Sequence, residues 1–540
     1  MRDKGGVTKS AAAASGLRSR RLMSGAVILA AGSIIAKLLG AFYRVPLTNI
    51  LGAEGMGMYQ LVFPVYALFM TMSTAGIPTA LSRIVAEKKA QGEGARKYLV
   101  SALITLLAMS ALAGLLVTAL SSVLARWQGN EATASGYIVI APSIFFVGII
   151  AGFRGWFQGE MYMVPTAASN IIEQTVKLAV GIGLAVAFSP RGMQAAVFGA
   201  LAGITVSEIV AALYLVVTFL VRSRREGGGR ERLRLNREEA AGMFRVAFPI
   251  ALLGLMLPFS SFCDSLIVVN ALKWGGAATS AATAQYGLYS GPVSSLVNMP
   301  VVITMSLAIA AVPSVSLSRT ERDLSAILTK SRLSVKLVYL VGVPAALFLM
   351  VFGRNVLSLL YPALSDADIL LSYRLLAVSS FGIVLSGATQ IYISLLQGLD
   401  KTVSAVKSLF FAIIVKIALS LLLVRFTGIV GAAAASVAMG AVSLVLCNVT
   451  FARYTGMRLE KNIAQTMLAG VIMALTGLVV REYVPTDMGK IAVGAVVCGL
   501  LYLWLTTLFG VFSEEEFYSL PLGKHLVRFR KKIRFWEQNL

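Results

Sequence analysis

Residues 98–124 read YLVSALITLLAMSALAGLLVTALSSVL, and no charged side chain interrupts them. A run of about 18 or more apolar residues is long enough to cross the hydrocarbon core of a bilayer as a helix. Runs of this kind recur along the whole chain. They are continuous, whereas the strands of a membrane barrel alternate between apolar and polar residues, so a barrel is excluded. The sequence therefore predicts an all-α polytopic membrane protein.

The composition fits this class of protein and excludes several others. Hydrophobic residues make up 57% of the chain and charged residues 14%, against about 25% charged residues in ordinary soluble domains. The mean hydropathy is +0.80. The net charge of +23 indicates basic cytoplasmic loops rather than nucleic-acid binding. The 3 cysteines lack CxxC spacing and the chain has 1 histidine, so we predict neither a metal site nor catalytic residues. No P-loop motif occurs, which excludes an ATPase of that type.

A pass along the chain predicts fourteen spans. They lie at 23–50, 57–82, 98–124, 136–156, 164–188, 194–221, 241–272, 284–314, 333–352, 374–396, 403–424, 428–452, 463–481 and 490–512. Lysine and arginine concentrate in alternate loops, as the positive-inside rule expects of cytoplasmic loops, so both termini are predicted to be cytoplasmic. A count of twelve or thirteen stays open if one weak segment does not span.

The chain contains a repeat that divides these spans into two lobes. The repeated segments are WFQG at 156–159 with VKLA at 176–179, and LLQG at 395–398 with VKIA at 415–418. Six spans separate the copies, so the halves are parallel and enclose a central cavity. The predicted parts are a disordered N-terminal tail (1–22), a six-span N-lobe (23–221), a basic linker (222–240), a six-span C-lobe (241–455), two extra spans (456–512) and a basic tail (513–540).

Ionisable side chains inside spans are the candidate functional residues, since each costs roughly 2.5–3.5 kcal/mol at a helix centre on insertion scales. The candidate substrate-binding cations are Lys37, Arg44, Lys177 and Lys416. The candidate ion-coupling or polar cavity residues are Glu173, Glu208 and Asp264. If the cations face inward at similar depth, they form a basic cavity suited to a phosphate or pyrophosphate.

Structural explanations compete with these functional ones. Glu173 and Lys177 are four residues apart and would neutralise each other on one helix face. Arg44 is close enough to the predicted outer interface to snorkel. Arg154, near the cytoplasmic end of span 4, fits a positive-inside anchor better than a cavity residue.

Several motifs resemble the polysaccharide-transport branch of the MOP exporter superfamily, and most closely the SpoVB/YtgP group of bacterial flippases. They are KLLG at 37–40, YRVP at 43–46, LGAEGMG at 51–57, STAGIP at 73–78, VAE at 85–87, RGWFQG at 154–159, Pro165-Thr166 and Glu173-Gln174. The resemblance covers nearly the whole chain.

The resemblance implies a V-shaped, two-lobed fold that moves undecaprenyl-pyrophosphate-linked saccharides by alternating access. The leading cargo is lipid II, the peptidoglycan precursor. Related MurJ-type lipid II flippases carry basic residues on the first helix, where Lys37 and Arg44 stand here, and arginines on the second and eighth helices. Span 8 of this chain has no arginine, and span 2 has none before Arg83, so Lys177 and Lys416 are candidate substitutes.

Two other functions stay open. A MATE-type drug or cation antiporter would have twelve spans and acidic coupling residues. A membrane-embedded glycosyltransferase or ligase would have a large outer loop with carboxylates, but the longest predicted outer loop, 354–373, holds only Asp366 and Asp368. No cofactor is expected, and the membrane potential, H+ or Na+ is the candidate driver. The expected partners are the lipid-linked oligosaccharide, membrane lipids and cell-wall synthesis proteins, in a bacterial cytoplasmic membrane; a sporulation role and a general wall role are not separated.

Overall fold

The computed structural model describes residues 5–74, 76–225, 237–321, 323–456 and 462–511, and regular structure in these ranges is helical throughout. The α-helices are α1 (Gly5–Thr74), α2 (Ile77–Ala90), α3 (Arg96–Ala119), α4 (Ser121–Trp127), α5 (Ala134–Gly159), α6 (Val164–Val176), α7 (Ile182–Phe188), α8 (Met193–Arg225), α9 (Arg237–Trp274), α10 (Thr279–Leu288), α11 (Ser294–Thr320), α12 (Leu324–Leu360), α13 (Asp366–Gly398), α14 (Thr402–Thr427), α15 (Ile429–Thr455), α16 (Asn462–Tyr483) and α17 (Asp487–Leu508). Two π-helical turns, Lys177–Gly181 and Tyr289–Val293, and two 3-10 turns, Glu131–Thr133 and Ser189–Arg191, join some of them.

The N-terminal tail differs from its prediction. Helix α1 begins at Gly5, so residues 5–22 are helical rather than disordered. The segment contains Ala11–Ala14, and alanine has the highest intrinsic helix propensity. Most of the predicted linker, 226–236, and the predicted tail, 513–540, lie outside the described residues.

Glycines break the helix where the sequence predicts the end of span 1. Gly52 has φ 65° and ψ −172° and kinks α1 between the predicted spans 23–50 and 57–82. Gly76, at φ 70°, separates α1 from α2, so the helix of span 2 ends at Thr74 rather than at 82. Positive φ is strained for residues with a Cβ and free for glycine, which explains these residue types.

Twelve helices among the described residues are long and apolar enough to cross a membrane. The segment Ala31–Ala90, counted as one, contains residues 31–50 of the first predicted span and all of the second, 57–82. The eighth predicted span, 284–314, is helical through α10, the π turn and α11 but is not among the twelve. The all-α membrane class is thus confirmed, whereas the count of fourteen stays a prediction.

The chain forms two compact units. Unit 1 comprises Met1–Asn270 and Ala278–Gly287, and unit 2 comprises Ala271–Ala277 and Leu288–Leu540. In unit 1, α5 packs against α1, α2, α3 and α8; in unit 2, α13 packs against α11, α12, α14 and α15. Most of α9 belongs to unit 1, so the units end at other residues than the predicted lobes, which were placed from the apolar spans, the repeat and the basic linker.

The repeated Gln-Gly motif is followed by the same backbone conformation in both units. Among the described residues, positive φ at a non-glycine residue occurs at Met161 (56°) and Asp400 (62°). Each is the third residue after the glutamine of its motif, Gln158 or Gln397. Such a conformation costs a residue with a Cβ roughly 1–2 kcal/mol. The two repeated segments therefore share this unusual backbone conformation as well as their sequence.

The last two helices pack onto α12 within unit 2. The Phe352 ring lies so close to Gly494 on α17 that an added Cβ would approach its Cζ to 2.5 Å. The Asn355 side-chain amide donates a hydrogen bond to Asp487 Oδ1 at 2.7 Å. Spans 13 and 14 of the prediction are therefore an integral part of unit 2.

Candidate functional site

A cluster of charged side chains lies inside unit 1, where α1, α5, α6 and α8 meet. At its centre, Arg154 Nη2 is 2.9 Å from Glu173 Oε2, and the two side chains are 21% and 17% exposed. Arg154 Nε donates to Ser169 Oγ at 2.9 Å, and Gln174 Nε2 donates to Glu173 Oε1 at 2.8 Å. Arg154 is thus paired with the acidic residue that the sequence assigned to Lys177, and its role as an anchor at the cytoplasmic interface stays a prediction.

Small residues on α5 hold Arg154 in this position. A Cβ added at Gly155 would lie 2.7 Å from the Pro78 carbonyl oxygen, and one at Gly159 would lie 2.7 Å from that of Ser82. Helix α2 therefore contacts the backbone of α5 directly, as small residues permit between membrane helices. Arg154 is on the same turn of α5 and reaches α6 on its other side.

Lys177 enters the cluster from an irregular turn. It begins the π-helical turn Lys177–Gly181, and such insertions are frequent at functional sites. Its ammonium lies 5.9 Å from the centroid of the Tyr43 ring. The charges of Glu173, Glu208 and Arg44 act on it. Lys177 is therefore close enough to both acidic residues of the cluster and to Arg44 on α1 to feel their charges.

The π turn is close to α8 because two glycines face each other. A Cβ added at Gly203 would lie 2.2 Å from the Gly181 Cα, a distance no real side chain adopts. This crossing brings α8, and with it Glu208, against the turn that carries Lys177.

Glu208 is the most buried acidic member of the cluster, at 5% exposed. The Tyr66 hydroxyl, on α1, donates a hydrogen bond to its Oε1 at 3.3 Å. The charges that act on Glu208 are those of Glu173, Arg154 and Lys177. Three of the predicted site residues, Glu173, Lys177 and Glu208, thus belong to one electrostatic cluster.

The remaining predicted site residues are distributed over three helices. Lys37 is exposed and Arg44 partly buried on α1. Asp264 is partly buried on α9. Lys416, on α14 of unit 2, is 6% exposed. Among the described residues, no group of three or more His, Cys, Asp or Glu could hold a metal ion.

Sequence reasoning missed a second buried polar cluster of unit 1. Gln128, 0% exposed, donates through Nε2 to the Leu61 carbonyl at 2.9 Å and to Ser265 Oγ at 2.8 Å. Asn130 Nδ2 donates to Thr283 Oγ1 at 3.0 Å. Gln128 and Asn130 are in a predicted loop, where polar residues carry no signal of burial. They satisfy buried backbone and hydroxyl groups, which would otherwise lack hydrogen-bond partners.

Apolar membrane helices that enclose a charged cluster define a multi-pass membrane protein of the transporter class. The chain belongs to the polysaccharide biosynthesis protein family, whose model matches residues 22–321. It is 25% identical to stage V sporulation protein B of Bacillus subtilis, over 95% of this chain and 100% of that protein. It is 23% identical to lipid II flippase MurJ of the same organism, over 96% of this chain and 99% of that protein.

Solved structures share the fold. Lipid II flippase MurJ in an inward closed conformation aligns with a TM-score of 0.70 at 13% identity, covering 90% of this chain and 99% of that one. An inward-facing multidrug resistance MATE family transporter of the MOP superfamily aligns with a TM-score of 0.63 at 15% identity, covering 82% and 95%. The family match and the similarity to stage V sporulation protein B confirm the resemblance to polysaccharide-transport proteins that the motifs indicated, and the two structures show the shared fold.

Proposed function

We propose that this protein is a flippase that carries an undecaprenyl-pyrophosphate-linked saccharide, with lipid II as the leading cargo, from the inner to the outer leaflet by alternating access. Its similarity to a named lipid II flippase over 96% of its own length supports the cargo class. Chemistry supports it too, because a diphosphate headgroup needs cations at membrane depth. We propose no catalytic residue and no cofactor.

The observation that carries this proposal is the pair of partly or fully buried lysines at matching positions of the repeat. Lys177 follows Gln158, and Lys416 follows Gln397, at the same interval. Lysines inside membrane helices are costly and are retained where they meet an anion or a wet cavity. A diphosphate is the anion that the proposed cargo supplies. Arg44 and Lys37 on α1 are the further proposed contacts.

The proposed setting is the bacterial cytoplasmic membrane, with fourteen spans and both termini on the cytoplasmic side. The basic loops support this orientation through the positive-inside rule. Proteins that synthesise or consume lipid-linked wall precursors are the proposed partners.

A MATE-type antiporter is the second candidate, and the buried acidic residue Glu208 favours it, because acidic residues inside spans are typical ion sites. Two observations favour the flippase. The fold aligns over more of this chain with MurJ than with the MATE transporter. The predicted count of fourteen spans, with α16 and α17 as the last two, exceeds the twelve expected of an antiporter.

The test of the buried lysines is translocation of lipid II by purified protein in proteoliposomes. Lys177→Ala and Lys416→Ala are each expected to lower the rate at least tenfold, because each removes a cation from the path of the diphosphate. Lys407→Ala is the matched control, since Lys407 is exposed on the same helix as Lys416 and should leave the rate unchanged.

The proposal fails if wild-type protein does not translocate lipid II, or if both buried-lysine variants translocate it at the rate of the Lys407→Ala control. Equal amounts of monodisperse, helical protein in every sample are required for the comparison.

A further inference from the structure

Glu208 carries a buried carboxyl group. Binding of an anionic headgroup does not explain why an acidic side chain is present there. Glu208 is the sixteenth residue of the 33-residue helix α8, roughly 22 Å along it at 1.5 Å per residue, and so lies near the middle of the span. Ser207, Ala211 and Ala212 on the same helix are buried around it. An acidic side chain at this depth is costly and marks a functional site by default.

The elements of unit 1 that pack most against α8 are α1, α5, α6, α7, the π turn and the 3-10 turn Ser189–Arg191. All but α7 and the 3-10 turn contribute a group to the surroundings of Glu208, and Arg191 on the 3-10 turn is exposed and lies over the Phe188 ring. Tyr66 comes from α1, Arg154 from α5, Glu173 from α6 and Lys177 from the π turn. Helix α7, Ile182–Phe188, has no titratable residue. Arg154 is already paired with Glu173 at 2.9 Å. Lys177 is on the π turn that α8 crosses at Gly203, and it is the cation near Glu208 that is not engaged in that ion pair.

This arrangement gives Lys177 two competing anions. While Glu208 is ionised, its charge attracts Lys177 within unit 1. When Glu208 takes up a proton it becomes neutral, and the charge of Lys177 is then available to an anion from outside the cluster. A neutral carboxylic acid still accepts the Tyr66 hydrogen bond. Linkage is reciprocal, so an anion that engages Lys177 must also favour protonation of Glu208.

We propose that Glu208 is a proton-binding site whose occupancy is linked to binding of a diphosphate at Lys177. The inference rests on the proposed function, because it takes the diphosphate as part of the cargo. A proton fits this site better than Na+, because a proton needs only one carboxylate oxygen, whereas Na+ needs several oxygen ligands and the described residues place one hydroxyl, that of Tyr66, in hydrogen-bond contact with Glu208. The step is a simple transfer: the carboxylate gains one proton from solvent, and Lys177 keeps its own.

The test is infrared difference spectroscopy of the purified full-length protein in lipid, titrated with and without inorganic pyrophosphate. The carbonyl stretch of protonated carboxyl groups is the readout, so no transport is needed. In wild-type protein, one component of this band should persist to higher pH when pyrophosphate is present. Glu208→Gln should abolish that component, and Lys177→Met should abolish its response to pyrophosphate. Replacing Na+ by K+ should change neither.

Two further variants keep the result interpretable. Glu482→Gln is the control, because Glu482 is exposed on α16 and its loss should leave the pyrophosphate-dependent component intact. Glu208→Asp retains a carboxyl group, so its component of the carbonyl band should shift in frequency rather than disappear. This variant tests the assignment of the band even if Glu208→Gln does not fold. The inference is overturned if the component survives in Glu208→Gln, or if it responds to Na+ and not to pH.

Failure of this inference and failure of the proposed function are distinguishable. If the protein translocates lipid II but the infrared band contains no component from Glu208, only the proposal of a proton site is contradicted. An intact pyrophosphate-dependent component without translocation of lipid II would contradict the cargo alone.

Discussion

At the scale of single residues, the spans could be searched for charges directly, because a charged side chain in an apolar run is visible in the sequence. Glu173, Lys177 and Glu208 were found in this way, and they do meet in one cluster. Their pairing was not predictable. Arg154 and Glu173 are 19 residues apart on different helices and meet only once α5 and α6 pack. Tyr66 gave no signal, since tyrosine is common in membrane helices.

The Arg154–Glu173 pair gives a prediction at this scale. Removing one partner leaves the other charge partly buried, so Arg154→Ala and Glu173→Gln should each destabilise the protein. The double variant should lose less free energy of unfolding than the two single variants lose together. The difference, which is the coupling energy of the pair, should be about 0.5–3 kcal/mol. Unfolding of the purified protein in detergent, followed for all four proteins of the cycle, measures it.

The control is the exposed Arg319–Asp400 pair, whose nearest charged atoms are 3.7 Å apart and whose side chains are 50% and 81% exposed, so that water screens their charges. It should show no resolved coupling. Additive effects of Arg154→Ala and Glu173→Gln would mean that the 2.9 Å contact does not stabilise the fold.

At the scale of helices, glycines decide where elements break and where they touch. The break at Gly52 could be predicted in position, because the apolar run of span 1 ends there. The close approach of Gly181 to Gly203 could not, since many glycines occur in these helices and the sequence does not show which of them face one another. The π turn at Lys177–Gly181 was likewise hidden, because its residues read as ordinary helix.

The close approach of α8 to the π turn predicts that alanine destabilises the protein at Gly203 but not at Gly183. Gly203→Ala would place a Cβ 2.2 Å from the Gly181 backbone and should cost about 1–3 kcal/mol through overpacking. Gly183→Ala is the matched control, because nothing lies within 4 Å of the added Cβ. The melting temperatures of the two purified variants provide the comparison. If Gly203→Ala melts with or above Gly183→Ala, the helices do not cross as described.

At the scale of the whole molecule, hydropathy predicts the class and the repeat predicts a common packing order. Helices α5 and α13, which carry the repeated Gln-Gly motif, each pack against several other helices of their own unit. The boundaries of the compact units were not predictable, because they depend on contacts such as that of Asn270 with the Trp127 carbonyl at 2.6 Å. The V-shaped arrangement implied by the resemblance, and the span count of fourteen, stay predictions.

The central claim is that this protein moves a lipid-linked saccharide outward, and the sidedness of lipid II in cells tests it most directly. The protein is depleted in its native cell, or in a host deprived of its own flippase, and lipid II in the outer leaflet is measured with an externally added probe. The account predicts that lipid II accumulates in the inner leaflet on depletion and that wild-type protein, but not Lys177→Ala, restores exposure. Unchanged exposure of lipid II after complete depletion in the flippase-deprived host would contradict it.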